Sequence, residues 1–121
     1  MNQTFFENWL SSWSGGKPDK LLNFYHQDIF YRDPYLIGGV QGKENFEKYL
    51  KKLLLANPNW KWSLLEFYPS AENIFTVKWR ATIPTQKKEV QEEGLDIVEI
   101  KDKKIIRNEV YFDTWTWKSQ L

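Results

Sequence analysis

The chain has 121 residues, enough to enclose one hydrophobic core and too few for two, so it reads as a single domain over 1–121. Its 17 Lys and Arg stand against 16 Asp and Glu, which argues against a nucleic-acid partner, since such modules carry a clear basic excess. With no cysteine there is no disulfide, thiolate metal site or thiol nucleophile, and the one histidine, His26, cannot build a zinc site by itself.

Met1 to Glu7 lacks the basic start and apolar run of a secretory signal, and no stretch approaches the roughly 20 apolar residues of a membrane span. A cytoplasmic protein without a membrane partner is therefore expected, and the Asn2-Gln3-Thr4 sequon reads as chance. Thr4 and Glu7 make a capping box ahead of a helix whose Phe5, Phe6, Trp9, Leu10 and Trp13 share one face. Gly15-Gly16 should end it. Pro18 suits the first turn of a second helix, with Leu21, Leu22 and Tyr25 on its buried side. His26 follows near its C-terminal end, where a cationic ring complements the helix dipole.

Ile29 to Asp33 is short and β-prone, and Pro34 stops it. A loop with Gly38-Gly39 leads to a third helix from about Gly42. There Phe46, Tyr49, Leu50, Leu53 and Leu54 form an apolar stripe that ends at Asn57-Pro58. Four longer strands follow. Trp60 to Tyr68 alternates only loosely, and Pro69 to Asn73 reads as a turn. Asn73 to Ile83 alternates cleanly, with Phe75, Val77, Trp79, Ala81 and Ile83 facing one way. Glu89 to Lys101 and Ile105 to about Trp117 complete the set, joined by a polar turn at Lys101 to Lys104.

Three helices and a short strand followed by an antiparallel meander indicate an α+β fold, with the helices on one face of a mostly antiparallel sheet. The 7 Trp, 6 Tyr and 8 Phe can build a core from few residues and also suit the wall of a small-molecule pocket. Trp9, Tyr31, Phe46, Phe75, Val77, Trp79, Val110 and Phe112, with Ala81, are the expected wall. The alternative is that these side chains fill the interior and leave no cavity. The last strands are apolar on both faces, with Leu95, Ile97, Tyr111 and Trp115 opposite the pocket side. A second copy of the chain is the expected cover, giving a homodimer through the outer sheet face.

By alternation Asp96 shares a face with Gly94 and Val98, which places a carboxylic acid on the pocket side. Burial among aromatics raises its pKa and favours the protonated form. Asp33, in a turn before Pro34, is a second carboxylate that can work against it as a base. The structural alternatives are that Asp33 caps its turn and that Asp96 pairs with Arg80 or Arg107. Glu92 shares the strand parity of Asp96 and suits a solvated rim. Asp113 opposes Val110 and Phe112 in parity, so only a strand bend brings it inward. Tyr31 and Tyr35 flank Asp33.

The order of these elements resembles the NTF2-like superfamily, in its SnoaL-like and ketosteroid-isomerase-like branch. The strings that carry the resemblance span nearly the whole chain: Phe24-Tyr25-His26-Gln27-Asp28, Arg32-Asp33-Pro34, Gly42-Lys43-Glu44, Asp96-Ile97-Val98-Glu99-Ile100 and Glu109-Val110-Tyr111-Phe112-Asp113. The resemblance implies a conical pocket, usually in a homodimer, and activities that range from isomerase and cyclase to none; no cofactor or metal is expected. It assigns the general base to Asp33 and a protonated oxyanion donor to Asp96. At the position of that family's helix tyrosine this chain has Trp9, whose indole cannot share a proton as a phenol does. The expected function is proton transfer on a small hydrophobic carbonyl compound, by a cofactor-free isomerase, cyclase or dehydratase. The alternatives are a binder of an apolar ligand and a dimeric interaction domain without chemistry.

Overall fold

Asn2, not Thr4, starts the first helix. The computed structural model describes residues 1–86 and 88–115. In it α1 (Gln3–Ser11) is capped by the Asn2 side chain, whose Oδ1 accepts from the Phe5 N–H at 3.1 Å. The expected box does not close, because Glu7 accepts instead from Gln3 Nε2 at 2.8 Å. The second helix, α2 (Pro18–Leu22), begins on Pro18 and lasts little more than a turn. Tyr25 is buried as expected, but it opens β1 (Tyr25–Asp33), and His26 lies in that strand rather than at the helix end.

The strand is longer than its apolar residues announce because β6 (Lys104–Phe112) runs parallel beside it, pairing Tyr25 with Ile105 and Arg32 with Glu109. The stretch expected as a loop is a strand too. It is β2 (Leu36–Gln41), antiparallel to β1 at the sheet edge. Gly39 has φ +72°, and a Cβ there would lie 2.6 Å from Cζ of Phe30. The glycine is what lets that ring lie across the strand.

Helix α3 (Lys43–Ala56) carries its stripe inward, with Phe46, Leu50 and Leu54 fully buried. The meander is β3 (Lys61–Ala71), β4 (Ile74–Pro84), β5 (Glu89–Lys101) and β6, in a six-stranded sheet of order β2-β1-β6-β5-β4-β3. All neighbours are antiparallel except β1 and β6. β3 continues through Pro69 to Ala71, which an edge strand tolerates, and the turn shortens to Glu72-Asn73 with Asn73 at φ 59°. β6 stops at Phe112, short of the expected end, and Asp113 Oδ1 accepts the Trp115 N–H at 2.9 Å in the turn beyond. Trp117 lies outside the described residues.

Helix α1 packs on β3 and α3 on β1, so the helices cover one face of the sheet, the α+β arrangement the sequence indicates. Every inward residue of β4 from Phe75 to Ile83 is buried. The opposite face is laced by ion pairs: Arg107 with Glu99 and Glu109, Arg32 with Glu109, and Lys78 and Arg80 with Glu93. Among them Leu95 and Tyr111 stay 44% and 43% exposed. No helix among the described residues is long and apolar enough to cross a membrane.

Candidate functional site

Between α1, α3 and the sheet lies a narrow cavity of about 40 Å³ of water-centre space. Tyr31, Asp33, Trp79, Asp96, Val110 and Phe112 line it. Of the other expected wall residues, Trp9, Phe46, Phe75 and Val77 are buried in the core and do not line it, and neither does Ala81. Their places are taken by Leu10, Trp13, Leu53, Trp60 and Trp62. The helical stripe already contained Leu10, Trp13 and Leu53. Trp60 and Trp62 carried no usable signal, because a loosely alternating strand does not announce which face is inward.

Asp33, 5% exposed at the end of β1, is held by three neutral donors. The Tyr31 and Tyr49 hydroxyls donate to its Oδ2 at 2.7 and 2.5 Å, and the Tyr35 N–H donates to Oδ1 at 2.8 Å. The last bond is the turn cap that Asp before Pro suggests, and the two phenols add a second role. Burial raises the pKa of both phenols, and the Asp33 charge raises them further, so they remain protonated donors. Tyr49 lay on the apolar stripe of α3, where its hydroxyl gave no hint of a partner.

Asp96 is 3% exposed and sits between two donors. Trp79 Nε1 donates to its Oδ1 at 2.7 Å and Asn108 Nδ2 to its Oδ2 at 2.8 Å. Asn108 Oδ1 accepts from the Tyr25 hydroxyl at 2.8 Å, which in turn accepts from Trp9 Nε1 at 2.9 Å. The Trp9 indole is thus spent in the core, three hydrogen bonds away from Asp96. The approach of Trp79 depends on Gly94, directly opposite it on β5, where a Cβ would lie 2.3 Å from Trp79 Cζ2.

Burial pushes the Asp96 carboxyl up from 3.8 to about 7, against the two hydrogen bonds, and the nearby Asp33 charge adds to the rise. Near neutral pH both forms are populated. The protein offers this carboxyl donors only, so the proton of its acid form has no protein acceptor among the described residues. Water or a ligand oxygen in the cavity is the partner left to it.

The other candidates lie elsewhere. Arg80 and Arg107 belong to the ion pairs of the outer face, so the expectation that either pairs with Asp96 is corrected by strand parity. His26 Nδ1 accepts the Asp28 N–H at 3.0 Å, and its Nε2 is 3.6 Å from Asp102. Glu92 is half-buried outside the cavity, and Asp113 is exposed in its turn. Among the described residues no group of three or more His, Cys, Asp or Glu is placed to hold a metal ion.

The fold is shared with solved structures at low sequence identity. A protein of ketosteroid-isomerase-like fold from Catenulispora acidiphila, in complex with trimethylamine, superposes with a TM-score of 0.84 at 15% identity, covering 99% of this chain and 93% of that one. TerC co-crystallised with polyporic acid gives 0.77 at 17% identity, covering 96% of each chain. An M. tuberculosis LEH-like epoxide hydrolase gives 0.77 at 14%, covering 97% of this chain and 86% of that one. No curated protein matches the chain by sequence. The SnoaL-like domain model matches residues 6–108, from the core face of α1 to the asparagine that holds Asp96, and the chain belongs to that SnoaL-like family of NTF2-like fold.

Proposed function

We propose that this protein holds a small apolar carbonyl compound in the cavity and moves a proton on it without a cofactor, as an isomerase, cyclase or dehydratase does. One observation carries the reading: Asp33 and Asp96 line the same cavity, and Asp96 has an acid form whose proton finds no acceptor among the described residues. Asp33 takes the proton alpha to the carbonyl, the C–H electron pair moves onto the oxygen as an enolate, and acidic Asp96 hydrogen-bonds that oxygen. Return of the proton to a different carbon completes an isomerisation. Tyr31 and Tyr49 fix the base, and Asp33 Oδ1, with one N–H partner, keeps a lone pair for the substrate.

A second reading, a binder without chemistry, is favoured by Trp9. Its N–H is given to Tyr25, so it supplies no second oxyanion donor, and loss of one such donor costs about 10²–10³ in rate. Exchange of the alpha protons of cyclohexanone in D₂O, followed by NMR, separates the two. Proton transfer requires exchange above buffer that falls at least about 100-fold in Asp33→Asn. Wild type no faster than the Asp33→Asn/Asp96→Asn double variant leaves the binder.

The same reading places the protein in the cytoplasm and sets a second copy against the outer face around Leu95 and Tyr111. Light scattering should give a dimer that Leu95→Lys weakens. A monomeric wild type removes that part of the proposal.

A further inference from the structure

Two buried acidic side chains share this cavity, and among the described residues neither is paired with a cation. Among the described residues the ion pairs of Arg32, Lys78, Arg80 and Arg107 all go to glutamates, while Asp33 and Asp96 meet only neutral donors. A carboxylate held away from water without a counter-charge is costly. The rest of the wall is mostly aromatic, with Leu10, Leu53 and Val110 among the rings. Four ring pairs are inclined steeply, at 51° between Trp13 and Trp62, 72° between Trp60 and Trp62, 69° between Trp62 and Trp79, and 68° between Trp79 and Phe112, while Trp13 and Tyr31 lie at 33°. Rings so inclined line the cavity without stacking face to face. Their π-faces are negative and attract cations.

Size and hydrogen bonding narrow the choice of cation. A cavity of about 40 Å³ of water-centre space takes one compact group, roughly 3–4 Å in radius. Each carboxylate oxygen already accepts at least one phenol, indole or amide bond, and the cavity is otherwise walled by apolar side chains that cannot replace an ammonium's water. A primary ammonium is strongly hydrated and needs acceptors for its three N–H groups, whereas a methylated ammonium needs few or none. We propose that the cavity is an aromatic cage for a small methylated ammonium group, with Asp33 and Asp96 as its counter-charge. The inference rests on this cavity being the ligand site and is independent of proton transfer.

The test compares choline with dimethylbutanol, its neutral isostere with carbon in place of nitrogen, by calorimetry and quenching of tryptophan fluorescence at pH 8 and low salt. Choline should bind about tenfold tighter or more. Asp33→Asn should weaken choline about tenfold more than it weakens the isostere. Trp60→Leu, at a half-buried position, keeps the charge and should weaken choline severalfold, which guards against misfolding of the first variant. Equal affinity for the two molecules overturns the cage while keeping the cavity as a neutral site. No binding of either overturns the cage together with the ligand site. Choline binding with no ketone exchange supports the cage and removes the proton-transfer reading.

Discussion

Replacing Asp96 by Asn separates the electrostatic cost of the buried carboxylate from its packing. Folding lifts this carboxyl from 3.8 to about 7, chiefly by burial. Between those values the folded chain keeps a proton that the unfolded chain has released. The stability contributed by this group is therefore whole below pH 3.8 and is lost as pH rises through about 7. At 1.36 kcal/mol per pKa unit the loss comes to about 4 kcal/mol, as an order of magnitude. Asparagine does not ionise and escapes it. The new amide does bring an N–H₂ against Trp79 or Asn108, both of which donate, at a cost of about 1–3 kcal/mol that does not change with pH. The variant should be the less stable protein at pH 4 and the more stable one at pH 8, by roughly 1–3 kcal/mol. Urea unfolding followed by tryptophan fluorescence at several pH values measures the difference. A gap between variant and wild type that stays flat from pH 4 to pH 8 refutes the reasoning, whatever its size.

Gly94→Ala should be among the most damaging small changes. Its methyl would lie 2.3 Å from Trp79 Cζ2, so the indole must shift by about 1 Å and release its 2.7 Å bond to Asp96. A loss of roughly 2–5 kcal/mol and a fall of about 10 °C in Tm are expected, and a wild-type Tm would show that Trp79 does not lie over Gly94. The same variant should raise the Asp96 midpoint, since it removes a donor that favours the carboxylate. Asp33→Asn should move that midpoint the other way, below about 7, by removing a like charge; carbon-detected NMR of labelled aspartate reads both shifts.

Most of the architecture was legible along the chain because periodicity reports burial directly. Phe46, Leu50 and Leu54 on α3, and Phe75 to Ile83 on β4, face inward as their spacing indicates. Where a residue's environment comes from a distant strand, the pattern failed. The first strand reaches back to Tyr25 because Ile105 of β6 pairs with it there, across an irregular stretch at His26, Gln27 and Asp28, and Gly38-Gly39 joins a strand rather than a loop, with Phe30 packed across Gly39. The last strand stops early, where Asp113 caps a turn.

The candidate site divides along the same line. Strand parity and the Asp-Pro turn were enough to bring out Asp96 and Asp33 from the sequence, since each depends only on its immediate neighbours. Which groups hold them was decided by the tertiary structure. Tyr49 reaches Asp33 from a helix, Asn108 reaches Asp96 from the next strand, and Tyr25 and Trp9 complete the relay across 83 and 16 residues of chain. The identity of the cavity wall was decided there too. Trp9, Phe46, Phe75 and Val77 are as apolar as Trp13, Trp60 and Trp62, and hydrophobicity drives all of them inward without saying which will meet across a gap. Burial is non-directional, so it follows from sequence; a cavity is a shape, set by side chains that the packing of α1, α3 and the sheet brings face to face.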